Sequence, residues 1–285
     1  MATIRLNNII KSYSLIKEKV NKTKTKIIEE NLFYTQTSNS ILSLIIILNE
    51  KLSKDDLYFI TREMKEKQRY IIFFRDMFKE IVPFLIKSKQ IIKLEEVFVK
   101  LLEYNINHYM EKPKWENDIL YAQIFSKYSE EIFSLCSLNL VNEIVEILKK
   151  EVTKKENKYI FSKYNIENIN DREIEGSLGV NLLVKLLYKG LKIKIDEGKK
   201  LLEKLLNSNI EILERITLKI VAEDKRLVYI IFKEKNITKF FNNCYEELEE
   251  CLKNNIDTFT SEEIEYLISE IENSFNEFDE KNLRA

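Results

Sequence analysis

Residues 196–276 read DEGKKLLEKLLNSNIEILERITLKIVAEDKRLVYIIFKEKNITKFFNNCYEELEECLKNNIDTFTSEEIEYLISEIENSFN. Apolar side chains recur here at i, i+3 and i+4, the spacing of one helical face. Helices are expected near 196–207, 209–222, 224–234, 238–255 and 260–276, with starts marked by Asp196, Ser208 and Thr260. Thr260 and Glu263 make a T-x-x-E capping box ahead of Ile264, Leu267, Ile268 and Ile271. The short polar links between these segments make sequence neighbours antiparallel and adjacent. A run of such pairs is the sequence form of an α-solenoid. No strict repeat period emerges, so an irregular, HEAT-like array is expected rather than a consensus tetratricopeptide repeat.

Working toward the N-terminus, residues 171–191 predict one helix carrying Ile174, Leu178, Leu182, Leu186 and Leu187. Gly176 and Gly179 lie inside it and weaken it by about 1 kcal/mol each; Gly190 is the expected stop. Residues 154–170, KKENKYIFSKYNIENIN, are polar and Asn-rich without a clean period, and read as a linker or long loop. They divide an N-terminal helical domain, 1–153, from a C-terminal helical-repeat domain, 171–285. In the N-terminal domain, 3–36 reads as one or two helices, with Asn21 to Lys26 as a polar interruption. A helix over 41–51 follows. Ser53 is the N-cap of the next one, with Asp55 and Asp56 in its first turn. Pro83 should end or kink that helix. Further helices are expected over 89–106, 116–136 and 139–153, with a break at 105–115 that holds Pro113 and the sole His and Trp. The fold class is therefore all-α: an irregular α-solenoid preceded by a helical bundle.

Composition narrows the chemistry. The 285 residues include four glycines and two prolines; average usage, about 7% and 5%, would give roughly twenty and fourteen. Strand-rich folds, phosphate loops and nucleophile elbows all need glycine for tight turns and close backbone approach. There is no H-E-x-x-H, C-x-x-C, G-x-x-x-x-G-K-[ST] or G-x-S-x-G. One histidine, His108, cannot build a clustered metal site, and it reads as a residue at or just past a helix end. Neither catalytic nor metal-binding residues are identified, no cofactor is expected, and the chain reads as a non-enzyme.

Three cysteines, Cys136, Cys244 and Cys251, fit a reducing, cytoplasmic setting with no disulfide framework; Cys244 and Cys251, on one helical face, read as small core residues. The most apolar run, Ile41 to Leu48, is far short of the roughly 20 residues that span a bilayer, so no membrane partner is expected.

Net charge is −1, unevenly spread: residues 1–30 carry seven Lys/Arg against three Glu, and residues 241–285 three Lys/Arg against thirteen Asp/Glu. Such runs usually mark solvated faces. The functional alternative is an acidic end that meets a basic partner or a neighbouring copy head-to-tail. Trp115 is either a staple at a helix entry or an exposed anchor. Tyr70, Phe73, Phe74 and Phe78, interleaved with Arg69 and Arg75, share a face that is core or a base-stacking surface. The pairs Glu246–Glu247 and Glu249–Glu250 read as a solvated acidic surface.

Residues 209–275 carry E-R-x-x-L-x-I at Glu214–Ile220, then Leu227, Ile230 and Ile231. E-E-L-E-E-C-L-K-N-N at Glu246–Asn255 follows, and then F-T-S-E-E-I-E-Y-L-I-S-E-I at Phe259–Ile271. This resembles the helical arrays that follow the catalytic or ATPase module of large bacterial anti-phage and NTPase-type defence proteins. The resemblance implies a scaffold or sensing role and brings no catalytic residue. The resulting expectation is a non-enzymatic protein-interaction scaffold or recognition module of a bacterial defence system, with a protein partner or self-association. Its candidate contacts are Trp115, Glu246, Glu247, Glu249 and Glu250. The alternative is nucleic-acid binding through the basic N-terminal half, which would show as affinity falling steeply with salt.

Overall fold

A computed structural model describes residues 2–30, 41, 44–49, 52–56, 58–59, 81–111, 115–154, 179–233 and 237–283. Among these residues the regular structure is helical throughout, without a strand, and the fold is all-α. The helices are α1 (Ala2–Glu29), α2 (Ile91–Glu111), α3 (Trp115–Leu135), α4 (Leu138–Val152), α5 (Gly179–Ile193), α6 (Lys199–Leu206), α7 (Glu211–Glu223), α8 (Tyr229–Lys233), α9 (Thr238–Asn243), α10 (Tyr245–Asn255) and α11 (Ser261–Leu283). Two compact units form, one from residues 1–144 with 172–186, the other from 145–171 with 187–285. The aromatic stretch 70–78, Gly176 and all but the first residue of the 154–170 segment lie outside the described residues.

In the first unit, α1 runs unbroken through Asn21–Lys26, where an interruption is expected from the polar sequence. Two features carry it across. Val20, Lys24 and Ile27, at i, i+4 and i+7, are all buried. The Thr23 and Thr25 hydroxyls donate to the carbonyls of Lys19 and Asn21 one turn back, so they do not compete for a turn conformation. Ser53 caps the next helix as expected: its Oγ accepts from the Asp56 N–H at 3.1 Å, and Asp56 Oδ2 accepts from the Ser53 N–H at 2.8 Å.

Pro83 lies within the helical residues 81–87, while residues 61–80, through which the helix expected to end or kink there would reach it, lie outside the described residues. The helix closes later in a Schellman motif. The Gln90 N–H reaches the Leu85 carbonyl and the Lys89 N–H reaches that of Ile86, with Lys89 in the left-handed region at φ 52°. Helix α2 continues through the expected break at residue 105 as far as Glu111, which puts His108 inside its last turn. Ile106, 1% exposed, extends the buried stripe of Leu102 past the two asparagines beside it. The core here is aromatic: Phe98 meets Phe125 and Phe133 edge-to-face at 5.0 and 5.9 Å.

In the second unit α7 is the central helix: ten of its thirteen residues are buried, including Glu214, Arg215 and Thr217. The expected helix starts shift by two or three residues, to Lys199 and Glu211. Ser208 still acts locally, its Oγ accepting from the Ile210 N–H at 3.3 Å. Gly190 does not stop α5. It lies within the helix, which ends at Ile193 with Leu191 buried at 1% exposure. The segment expected as one helix over 224–234 is a 3-10 turn, Lys225–Leu227, followed by α8, because the Asp224 carboxylate captures the Arg226 N–H. The segment expected over 238–255 is two helices, α9 and α10, broken at Cys244 (φ −136°, ψ 33°). The break lets α10 lie along α7 while α9 lies against α11.

Several side-chain pairs of this unit join residues 30 to 32 apart in sequence, whereas Lys239–Glu214 are 25 apart and Tyr188–Glu223 are 35 apart. Arg226–Asp196 and Lys233–Glu203 are 30 apart, Lys219–Glu250 is 31, and Arg215–Glu247, Lys225–Asp257 and Thr238–Glu270 are each 32.

Candidate interaction surface

The last helix, α11, begins with the capping box read from the sequence. Glu263 Oε2 accepts from the Thr260 N–H at 2.8 Å, and Thr260 Oγ1 accepts from the Glu263 N–H at 3.2 Å. One side of the helix is anchored. Phe232 sits edge-on to Phe259 and Tyr266 at 5.2 and 6.4 Å, and the Thr238 hydroxyl donates to Glu270 at 2.7 Å. Leu267 is the one buried residue among those of α11 whose side chains are described. At 100° per residue, Ile264, Ile268 and Ile271 fall in a single stripe beside it. They are 39%, 51% and 37% exposed. Beyond the stripe stand Glu265 and Glu272, both exposed. The surface is thus an apolar ridge edged with carboxylates, on the final helix of its unit.

The residues singled out in the sequence separate into different environments. Trp115 is the first residue of α3, in the other unit from the four glutamates. Glu246 is exposed on α10. Glu249 is partly exposed and pairs with Lys253 on its own helix at 2.6 Å. Glu250 takes the Lys219 ammonium at 2.6 and 2.7 Å. Glu247 leaves the solvated acidic face altogether: it is 2% exposed and bonded to Arg215. Period explains the difference, since 247, 248, 251 and 255 form the face of α10 that packs inward. The exposed apolar stripe of α11 is a feature that the sequence reading did not single out, because periodicity reports a face and not what covers it.

Cys136, Cys244 and Cys251 are buried. Burial pushes the Cys244 thiol up to about 12, helped by the carboxylates of Glu214 and Glu247, and burial does the same for Cys251. Thiols held so high are poor nucleophiles. Among the described residues no three His, Cys, Asp or Glu converge on a point that could hold a metal ion. A shallow groove of about 520 Å³ in the first unit is lined by Tyr13, residues 47–49 and residues 89–93. Two of its polar groups are turned to structure, Tyr13 donating to the Leu48 carbonyl and Lys93 to that of Ile46, while the buried Gln90 Oε1 has no hydrogen-bond partner among the described residues. No helix among the described residues is long and apolar enough to cross a membrane.

No family model, curated protein or solved structure matches the chain.

Proposed function

We propose that the chain is a non-enzymatic protein-interaction scaffold whose second unit is an irregular α-solenoid and whose terminal helix α11 receives a protein partner. The array reading is supported by the side-chain pairs 30 to 32 residues apart, the pattern expected when a helical pair recurs and each copy touches only its neighbour. The interaction reading is carried by one observation, the exposed Ile264–Ile268–Ile271 stripe. Contiguous exposed apolar surface rimmed by charge marks a binding site.

The nucleic-acid alternative has less behind it. In α1, Lys24 is buried against Asp56, Lys22 pairs with Glu18 and Lys26 approaches Glu30, so these three cations already face carboxylates.

The test compares stoichiometric capture from the native host by the wild-type chain and by a variant with Ile264→Asp and Ile268→Asp. Loss of a one-to-one partner in the variant, with its helical content unchanged, supports the scaffold. Identical capture by both proteins, or none by either together with strictly monomeric behaviour, rejects it.

A further inference from the structure

We propose that the α11 ridge seats an amphipathic helix of another protein, one that carries an apolar stripe and, along its margin, lysine or arginine residues about seven positions apart. This rests on the reading of α11 as an interaction surface and states the chemistry of its occupant.

The charges of the second unit select that occupant. Glu203, Glu214, Glu223, Glu247, Glu250 and Asp257 each hold a lysine or arginine from another helix or turn. Glu262, Glu265 and Glu272 of α11 do not. Each is exposed, and among the described residues no cation stands against it. At 100° per residue, Glu265 and Glu272 fall within about 20° of each other on the helix. They line the solvent side of the Ile264–Ile268–Ile271 stripe, whose other side runs into the buried Leu267. The unit therefore sets unneutralised negative charge directly beside its exposed apolar stripe.

The complement is an aliphatic surface with cations at its margin. A helix supplies both at fixed spacing. Apolar residues at i, i+4 and i+7 meet the isoleucines, and basic residues seven apart, about 10.5 Å along the axis, meet Glu265 and Glu272. Three isoleucines make a small seam, at the weak end of protein interfaces. The flanking charges therefore decide which helix binds, as they do at the margins of coiled coils. The same carboxylates repel polyanions, which argues against nucleic acid and anionic lipid. A second copy laying its own α11 antiparallel along the ridge would set glutamate against glutamate. Lys22, Lys24 and Lys26 of α1 already face carboxylates of their own unit.

Two designed helical peptides test this. They share a leucine stripe, and one carries lysines along its margins where the other carries glutamates. By fluorescence anisotropy, the full wild-type chain should bind the lysine peptide at least tenfold more tightly than the glutamate peptide in about 0.05 M salt. The preference should shrink several-fold in about 0.5 M salt, as exposed charges are screened. Glu265→Lys with Glu272→Lys should invert it. Ile264→Ser with Ile268→Ser should weaken binding of the lysine peptide at least tenfold. Circular dichroism of each variant serves as the folding control. A wild-type chain that binds neither peptide, or both equally, overturns the proposal. So does a charge-reversed variant that keeps the lysine preference. Wild-type self-association that the serine substitutions abolish also overturns it, because the occupant is then a second copy. If capture from the host depends on Ile264 and Ile268 while the lysine preference is absent, the scaffold stands and the basic helix falls. If neither capture nor peptide binding responds to those two residues, both fall.

Discussion

Arg215 and Glu247 form a buried ion pair between α7 and α10, with Nη2 2.7 Å and Nε 2.9 Å from the same carboxylate oxygen, Oε1. Burial works against the Arg215 charge, but the hydrogen bond and the attraction of Glu247 outweigh it and hold the guanidinium above its ordinary value. With the Lys219–Glu250 pair farther along the same two helices, the Arg215–Glu247 pair fixes their register. Such pairs are a source of specificity more than of net stability.

Removing one partner should therefore hurt more than removing both. Arg215→Met or Glu247→Leu alone leaves an uncompensated buried charge and should destabilise the second unit by about 3–5 kcal/mol. The double variant should recover most of that loss. Urea denaturation monitored by circular dichroism checks this. A double variant as unstable as the sum of the singles would show that the pair is not a mutually compensating unit.

Asp56 gives the first unit an acid-sensitive joint. Burial raises the pKa of its carboxyl. The Lys24 ammonium, the Ser53 N–H and the Ser53 hydroxyl together overcome that and hold it below the usual carboxylate value. Asn49 also donates to it, at 3.1 Å. Because the folded pKa lies below the unfolded one, the stability it contributes is present above the unfolded value of 3.8 and is lost as pH falls from there through the folded pKa. Asp56→Asn should lower stability at neutral pH and flatten the dependence on pH below about 4. Thermal melts between pH 7 and pH 2.5 measure both effects. An unchanged acid limb would remove Asp56 from this role.

The three thiols should be silent in the native protein. At pH 8 a thiol whose pKa is about 12 is almost wholly protonated, and burial denies the reagent access to Cys244 and Cys251. A disulfide reagent such as 5,5′-dithiobis(2-nitrobenzoate) should report no fast-reacting cysteine in buffer and three in strong denaturant. A stoichiometric fast phase in buffer would mean that the protein opens locally, around Cys136 in the first unit or around α10 in the second.

Much of this fold is legible in the sequence because caps and periodicity are local. Ser53 and Thr260 act as read, since a side chain three residues from its partner needs nothing beyond its own turn. What is not legible depends on neighbours. Asn21–Lys26 reads as an interruption until Lys24 is seen to have Asp56 waiting for it 32 residues away. Gly190 reads as a stop by propensity, which tertiary burial overrides at Leu191. The thirty-odd-residue spacing is invisible as a repeat because the pairs are not homologous: Arg215 looks forward to Glu247, whereas Arg226 looks back to Asp196. Glu247 shows the same limit at the candidate surface. One residue of an acidic run turns inward, and only the arginine facing it says which one. The exposure of the α11 stripe is not legible for the converse reason, because an apolar period reports a face and not what covers it.

The cap of α11 links stability to that surface. Thr260→Ala removes the acceptor for the Glu263 N–H and one of the two donors to the Glu263 carboxylate, leaving only the residue 260 N–H to hold it. A lost N-cap costs about 1 kcal/mol. Here the loss should be local, since α11 lies at the end of its unit and α7, the centre of its core, is untouched. Amide hydrogen exchange should therefore accelerate about five- to tenfold at Glu263 and its neighbours in the first turn, as expected for roughly 1 kcal/mol of easier opening, with little change for α7. Because Ile264 begins the apolar stripe in that same turn, fraying there should also weaken association through α11 while Ile268 and Ile271 remain intact. Acceleration that spreads equally to α7 would show that the helix opens only with its whole unit. The cap would then set global stability rather than the presentation of the ridge.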